Sequence, residues 1–211
     1  MLIVQRIYNL FGKFFPSKHK KEAGHLTILS SNCIAGRVYH DFGLRFDSPT
    51  INLYFDAESF LKFVSNVDYY LNETIEVTQE KHCCPVGIIH DVKINFLHYK
   101  TAKEAKDKWE ERKKRFDASK VFVVMTDRDG FDYKMIDQLD RIPYKKLIFT
   151  SKKIDRDYAV YMPEFDGQNS VGVMTNFYKF SRKRYYELHF DFKKWLFSDF
   201  SVKECTFYNE K

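Results

Sequence analysis

The chain has 211 residues, of which 44% are hydrophobic and 18% aromatic, and its formal net charge is +6. This length suits one domain with a sizeable core. The moderate positive charge favours an anionic ligand over nucleic acid, and the sequence shows no zinc-finger or RNA-reading motif. Four cysteines without C-x-x-C spacing, and no uncharged run of about 20 residues, favour a reducing cytoplasm and argue against a membrane span.

Residues 1–24 are predicted to form a basic amphipathic helix apart from the domain that follows. Apolar residues at helical spacing lie on one face of this segment, namely Ile3, Ile7, Leu10, Phe11 and Phe14. Arg6 and four lysines accompany them, and Pro16 ends the helix. Such a segment can contact the inner membrane peripherally through residues 1–15. The alternative is a helix that packs on the domain or on a partner chain.

Residues 25–211 are expected to form a single α/β domain that begins with a strand, a polar turn and a helix. An apolar strand over 26–29 leads into a polar turn over 30–32, and an amphipathic helix follows. Cys33 occupies the first turn of that helix, where the dipole is expected to lower the pKa of its thiol. The alternative is a buried cysteine that packs as a small hydrophobe.

The later elements alternate between strand and helix. They are a strand over 51–55, a helix over 57–71, a β-hairpin over 86–99 that turns near His90-Asp91, a helix over 101–116, an apolar strand over 120–126, a helix near 133–142, strands over 147–150 and 159–161, a loop over 167–172, and a basic aromatic tail with a helix near 190–197. This order predicts an α/β fold with a central, largely parallel mixed sheet flanked by helices and carrying a hairpin insertion.

Six short sequence blocks, together with Ala105, Trp109 and Arg112, occur in an order along the chain that can be compared with known families. They are Ser-Asn-Cys-Ile-Ala-Gly (31–36), Ser-Pro-Thr-Ile-Asn-Leu (48–53), Pro-Val-Gly (85–87), Phe-Leu-His-Tyr-Lys-Thr (96–101), Val-Met-Thr-Asp-Arg-Asp-Gly (124–130) and Lys-Arg-Tyr-Tyr-Glu (183–187). Over about residues 25–197 the chain resembles an uncharacterised bacterial exopolysaccharide-biosynthesis family, a domain of unknown function. Members tend to be encoded beside capsule, exopolysaccharide or O-antigen genes. The resemblance implies surface polysaccharide synthesis and supplies no reaction. Where members often carry Gly-Gly, this chain has Ala35-Gly36.

The first chemical candidate is Cys33 as a nucleophile, with Asn32 orienting an oxyanion and His98 as base. His40 shares the helix with Cys33, but seven residues separate their backbones by roughly 10 Å. His98 ends a strand, and strand ends gather on one edge of a sheet. Neighbouring positions predicted to bind substrate are Ser31, Gly36 and Lys100. The alternative for His98 is a locally hydrogen-bonded structural histidine.

The Asn-Cys turn also resembles, over a few residues, polysaccharide-biosynthesis proteins that bind coenzyme A. That likeness implies acetyl-CoA as a donor whose acyl group passes to a sugar hydroxyl.

The second candidate is Asp127-Arg128-Asp129, which follows the apolar strand. It resembles the Asp-x-Asp motif with which many glycosyltransferases hold Mg²⁺ or Mn²⁺ against a nucleotide sugar. An ordinary Asp- and Gly-containing turn is the alternative, and three-residue patterns are common by chance.

Clusters of positive charge form the third candidate. Arg112 on the long helix, and Lys183 and Arg184 in the tail, are predicted to bind the pyrophosphate of a nucleotide, of coenzyme A or of a lipid-linked sugar, with Tyr185 stacking on a sugar ring. The alternatives are a solvated helix face with i,i+4 ion pairs and a packed tyrosine.

Together these features predict a cytoplasmic transferase of surface polysaccharide synthesis that acts on an activated or lipid-linked sugar. Acyl transfer centred on Cys33 is favoured over metal-assisted glycosyl transfer through Asp127 and Asp129. A non-catalytic module that binds a sugar or scaffolds the assembly enzymes is the remaining alternative.

Overall fold

A computed structural model of the chain describes residues 25–179 and 181–207, so the helix predicted over residues 1–24 lies outside the described residues. The strands are β1 (Thr27–Ser30), β2 (Glu76–Thr78), β3 (Val86–Ile89), β4 (Val92–Asn95), β5 (Val121–Thr126), β6 (Lys145–Thr150) and β7 (Ala159–Tyr161). The α-helices are α1 (Ile34–Asp41), α2 (Ala57–Ser65), α3 (Val67–Asn72), α4 (Ala102–Lys113), α5 (Ile136–Asp140), α6 (Phe192–Phe197) and α7 (Val202–Cys205). None of the described helices combines the length and apolarity needed to cross a lipid bilayer.

A four-stranded parallel sheet with the order β1-β5-β6-β7 forms the centre of the fold. Strand β5 pairs in parallel with β1 on one side and with β6 on the other. All six of its residues are buried, as expected for a parallel strand that is covered on both faces. The predicted α/β class is therefore confirmed.

Alternate side chains of β5 belong to two separate cores, one on each face of the sheet. Val123 and Met125 pack with Phe60 of α2 and Trp109 of α4. The intervening side chains point to the other face and join residues from α1 and the C-terminal helices. The central sheet is thus the middle layer between two helical layers.

A second, antiparallel sheet has the order β2-β3-β4 and is separate from the parallel one. Strands β3 and β4 pair directly, with Ile89 opposite Val92. A Cβ at Gly87 would lie 2.5 Å from Ile75 Cδ1 and 2.8 Å from Phe96 Cε2, so only glycine fits there. The central sheet was expected to be largely parallel but mixed, whereas it is parallel throughout and the antiparallel pairing lies in this second sheet.

Two expected elements differ in the structure. Residues 51–55 do not form a strand, since only Tyr54 makes a β-bridge, to Asn95, and Asn52 has a left-handed φ of 60°. The helix expected over 57–71 is divided in two at Asn66, whose φ of −149° is not helical. Apolar periodicity continues across this break, so the pattern alone does not reveal it.

Candidate functional site

The loops that follow β1 and β5 lie side by side at the carboxyl edge of the parallel sheet, and the region between them is termed the crevice. Helix α1 follows β1 and packs in one core, whereas α5 follows β5 and packs its Leu139 in the other. Adjacent parallel strands whose connections leave toward opposite faces create the crevice in which α/β proteins bind ligands. Here the Asn32 Nδ2 amide donates a hydrogen bond of 3.2 Å to Thr126 Oγ1, which joins the two loops.

Cys33 and His98 meet at this crevice. The Sγ atom of Cys33 lies 3.3 Å from Nε2 of His98, 65 residues away in sequence. Cys33 is half-buried at the start of α1, and His98 is exposed on the loop after β4. A thiol at hydrogen-bond distance from an imidazole is the arrangement of a cysteine nucleophile and its base.

Burial raises the pKa of the Cys33 thiol, and the positive charge of Arg37 only partly opposes this effect. The expected lowering of this pKa by the helix dipole is therefore wrong. One reason is local: the first helical N–H, that of Ile34, donates to Asn32 Oδ1 at 3.2 Å, and the Cys33 side chain makes no capping bond. A thiol whose pKa is raised needs a base to yield the thiolate, so the reactivity of Cys33 depends on its partner.

Arg112 connects the segments on either side of this pair. Its Nη1 atom donates to the Ile51 carbonyl at 2.7 Å and to the Tyr99 hydroxyl at 2.5 Å. Burial raises the pKa of Tyr99, and the Arg112 charge opposes that rise. These two bonds fix the loop that carries His98, and the predicted phosphate-binding role of Arg112 stays a prediction.

The other predicted neighbours of Cys33 have separate roles. Ser31 is buried, and its carbonyl accepts a 2.9 Å hydrogen bond from the N–H of Phe55. A Cβ on Gly36 would lie 3.1 Å from Asn52 Oδ1, so this glycine allows the 51–55 segment to pack closely on α1. Lys100 is exposed, and its backbone N–H donates to Glu104 Oε2 at 3.1 Å.

Asp127 is buried and accepts four hydrogen bonds from its own surroundings. The donors are the Ser151 N–H at 2.7 Å, the Ser151 and Tyr133 hydroxyls at 2.8 Å, and the Val171 N–H at 2.8 Å. Burial, together with the bond to Asp127, raises the pKa of Tyr133 to about 12. Both oxygens of Asp127 are engaged, which corrects the expectation that it contacts a nucleotide sugar or metal. Within residues 25–179 and 181–207, no group of three or more His, Cys, Asp or Glu residues is placed to hold a metal ion.

Asp129 lies apart from Asp127, in a loop with left-handed backbone at φ 62°. Its carboxylate lies close enough to the Tyr54 hydroxyl for each group to shift the pKa of the other, and Arg128 Nε lies 3.9 Å from Oδ1. Burial raises the pKa of Asp129, and the Arg128 charge and the Tyr54 hydroxyl oppose that rise. Tyr54 was absent from the predicted site because its sequence context resembles a strand and gives no signal of this contact.

Arg184 is buried at the opposite end of α1 from Cys33. It donates through Nε to Asp41 Oδ2 at 2.6 Å and through Nη1 to the Thr175 carbonyl at 2.6 Å, while the Tyr186 hydroxyl donates to Asp41 at 2.7 Å. Eight residues of helix separate this network from Cys33 by roughly 12 Å along the axis. The predicted phosphate-binding role of Arg184 is wrong, because its guanidinium is enclosed by protein partners.

The neighbours of Arg184 do not face the crevice residues either. The Lys183 ammonium lies 5.9 Å from the ring centroid of Phe207, and the half-buried Tyr185 ring packs on Phe165 and Tyr178. The structure therefore does not bring the tail residues to the pair of Cys33 and His98.

A cavity of about 640 Å³ lies at the amino edge of the sheet, where β5 and β6 begin. Its lining includes His25, Lys120, Tyr144, Lys145 and Asp199. Since ligands of open parallel sheets bind beyond the carboxyl ends of the strands, this cavity is unrelated to the pair of Cys33 and His98.

A family model described as a domain of unknown function, DUF1919, matches residues 5–197. The chain belongs to this family. The match begins at residue 5, so it includes most of the segment expected to form a separate N-terminal helix. Both Cys33 and His98 lie within the part of the chain that the family model covers.

An uncharacterised protein from Haemophilus influenzae (strain Rd) is similar to this DUF1919 chain. The two are 38% identical over 172 residues, which cover 81% of this chain and 83% of the relative. The similarity thus extends over most of both proteins.

Proposed function

We propose that the chain is a transferase of bacterial surface polysaccharide synthesis, exopolysaccharide or capsular, that moves an acyl group from coenzyme A to a sugar. The observation that carries the chemistry is the 3.3 Å contact between Cys33 Sγ and His98 Nε2 at the carboxyl edge of the sheet. The link to polysaccharide rests on the ordered sequence blocks between residues 31 and 187. The acceptor is an activated or lipid-linked sugar, and residues 1–15 supply peripheral contact with the inner membrane from the cytoplasmic side.

In the first half-reaction, His98 Nε2 takes the proton of the Cys33 thiol as the sulfur attacks the thioester carbonyl of acetyl-CoA. The bond from the acyl carbon to the coenzyme A sulfur breaks, and the leaving thiolate takes the proton from His98. The product is an acyl thioester on Cys33. Because burial keeps the pKa of this thiol high, the base is required for attack near neutral pH.

In the second half-reaction, a sugar hydroxyl loses its proton to His98 and attacks the acyl carbon on Cys33. The carbon–sulfur bond breaks, Cys33 leaves as a thiolate, and the proton on His98 restores the thiol. The Asn32 amide nitrogen carries two N–H groups and gives one to Thr126. Its second N–H is the proposed donor to the oxyanion that forms at each step.

The structure does not favour glycosyl transfer through Asp127 and Asp129. A metal-bound nucleotide sugar needs carboxylate oxygens that are available as ligands, and those of Asp127 already accept four hydrogen bonds. A non-catalytic sugar-binding module remains the other outcome of the test.

The test is to incubate the protein with acetyl-CoA and to locate an acetyl adduct by mass spectrometry of intact protein and peptides. Wild type is expected to carry the adduct on Cys33, and Cys33→Ala to carry none. Cys83→Ala is the matched control, because Cys83 is an exposed thiol outside the crevice. An adduct that persists in Cys33→Ala, or that is lost in Cys83→Ala, would show that Cys33 is not the nucleophile.

Thermal-shift measurements separate the alternatives, because a ligand that binds the folded state raises the melting temperature. Acetyl-CoA should stabilise wild type. Stabilisation only by a nucleotide sugar with Mn²⁺ would support glycosyl transfer instead, and stabilisation only by a free sugar would support the binding module.

A further inference from the structure

Two loop segments flank the pair of Cys33 and His98 and bring Tyr54 and Asp129 beside it. The Phe55 N–H donates to the carbonyl of Ser31 at 2.9 Å, which places Tyr54 next to the turn that carries Cys33. Tyr54 also exchanges backbone hydrogen bonds of 2.8 and 2.9 Å with Asn95, three residues before His98. Tyr54 therefore lies between the segments that supply the two reacting groups.

Asp129 is attached to the same region through its backbone. Its carbonyl accepts a 2.9 Å hydrogen bond from the Ala57 N–H, and it follows by three residues the Thr126 that binds Asn32. Phe55 packs into the core. Successive side chains of an extended segment point to opposite sides, so Tyr54 is directed away from that core. The mutual effect of the Tyr54 hydroxyl and the Asp129 carboxylate on their pKa values places these two groups near each other.

The carboxylate of Asp129 is partly exposed and has fewer protein partners than that of Asp127. Among the residues that the structure describes, it meets the Tyr54 hydroxyl and, at 3.9 Å, the Arg128 guanidinium. Asp127, only two residues away, accepts four hydrogen bonds. The Asp129 side chain is 17% exposed, so it retains acceptor capacity at the surface of the crevice.

We infer that Tyr54 and Asp129 form the acceptor subsite, in which the carboxylate receives hydroxyl groups of a neutral sugar and the tyrosine ring lies against the sugar. This inference rests on the proposed function and deepens it by naming the acceptor class. A carboxylate accepts short, strong hydrogen bonds from hydroxyls and repels phosphate. An aromatic ring adds apolar contact area beside a polar hydroxyl. The carboxylate therefore favours the hydroxyl groups of the acceptor over the phosphate of a donor or carrier at this subsite.

The experiment measures binding of a panel of neutral methyl hexosides by saturation-transfer NMR and calorimetry, without acetyl-CoA. Asp129→Asn is expected to weaken binding about tenfold or more, since a hydrogen bond to a charged acceptor is lost. Tyr54→Phe keeps the ring and should weaken binding less. Asp157→Asn, at an exposed carboxylate elsewhere, is the matched control and should bind as wild type does.

Melting curves of each variant verify that it is folded. No binding of any hexoside by wild type, equal affinity in folded Asp129→Asn, or competition by inorganic phosphate at the same residues would overturn the subsite. Cys33→Ala is expected to bind sugar normally, because the subsite does not need the thiol. Sugar binding by wild type without an acetyl adduct would refute the proposed transfer and leave the subsite standing. An acetyl adduct on Cys33 without sugar binding would support the transfer and refute the subsite.

Discussion

The polar groups at the two ends of helix α1 differ in how completely protein partners enclose them. At its C-terminal end, Asp41 is enclosed with Arg184 and Tyr186, and hydrogen bonds of 2.6 and 2.7 Å link the three side chains. At its N-terminal end, the half-buried Cys33 meets one exposed side chain, His98, at 3.3 Å. One helix of eight residues thus separates a closed ionic network from an open pair.

This difference separates polar groups that stabilise the fold from those that are available to a ligand. A buried charge is tolerated when it is paired and hydrogen-bonded, and such a group has no capacity left for a ligand. Burial alone would raise the pKa of Asp41, but its hydrogen bonds and ion pair with Arg184, together with the Tyr186 hydroxyl, lower it below the ordinary value. Burial also raises the pKa of Cys33, and the Arg37 charge opposes this rise only in part. Cys33, which has an exposed partner in His98 and no enclosing network, is therefore the candidate for chemistry.

The largest expected effect is on reactivity at the open end. His98→Gln removes the base and should slow acetylation of Cys33 by about 10²- to 10⁴-fold, the usual contribution of general base catalysis. The melting temperature should change little, because His98 is exposed. Stopped-flow release of coenzyme A, detected with a thiol reagent, measures the rate.

The pH profile distinguishes this base from a structural contact. In His98→Gln the rate should keep rising with pH until the thiol itself ionises, since burial keeps the pKa of Cys33 high. Wild type should reach its plateau at lower pH. Equal rates and identical profiles in the two proteins would show that the histidine does not act as the base.

The next effect is on stability at the closed end. Arg184→Met leaves Asp41 buried without its cation and should cost about 3–5 kcal/mol of unfolding free energy in urea titrations. Lys103→Met, which breaks the exposed pair with Asp107, is the control and should change stability little. The double variant Asp41→Asn/Arg184→Met should recover part of the loss. If Arg184→Met unfolds like wild type, the network is not a stabilising one.

Local sequence patterns predicted most of the helices and strands but not the tertiary contacts of the charged side chains. The β1–turn–α1 unit, the buried strand β5 and the Thr101 cap of α4 follow from short-range propensity and spacing. Arg184 and Asp41 lie 143 residues apart, and Asp127 meets a donor 44 residues away. The sequence around a charged residue does not show whether its partner is a distant residue of the same chain or a ligand. His98 was predicted because the ends of strands gather spatially, whereas Tyr54 needed the tertiary contact with Asp129.

The smallest expected effect is the acid sensitivity of the closed end. Because the pKa of Asp41 is lower in the folded state than in the unfolded one, its ionisation stabilises the fold above the unfolded value of about 3.9, and this stabilisation is lost as pH falls toward the folded pKa. Wild type should therefore lose stability from about pH 5 downward. Asp41→Asn, which has no proton to gain there, should start from lower stability and decline less steeply in urea titrations between pH 6 and pH 3. Parallel declines would mean that other carboxylates dominate acid unfolding and that the Arg184 network is not its sensitive element.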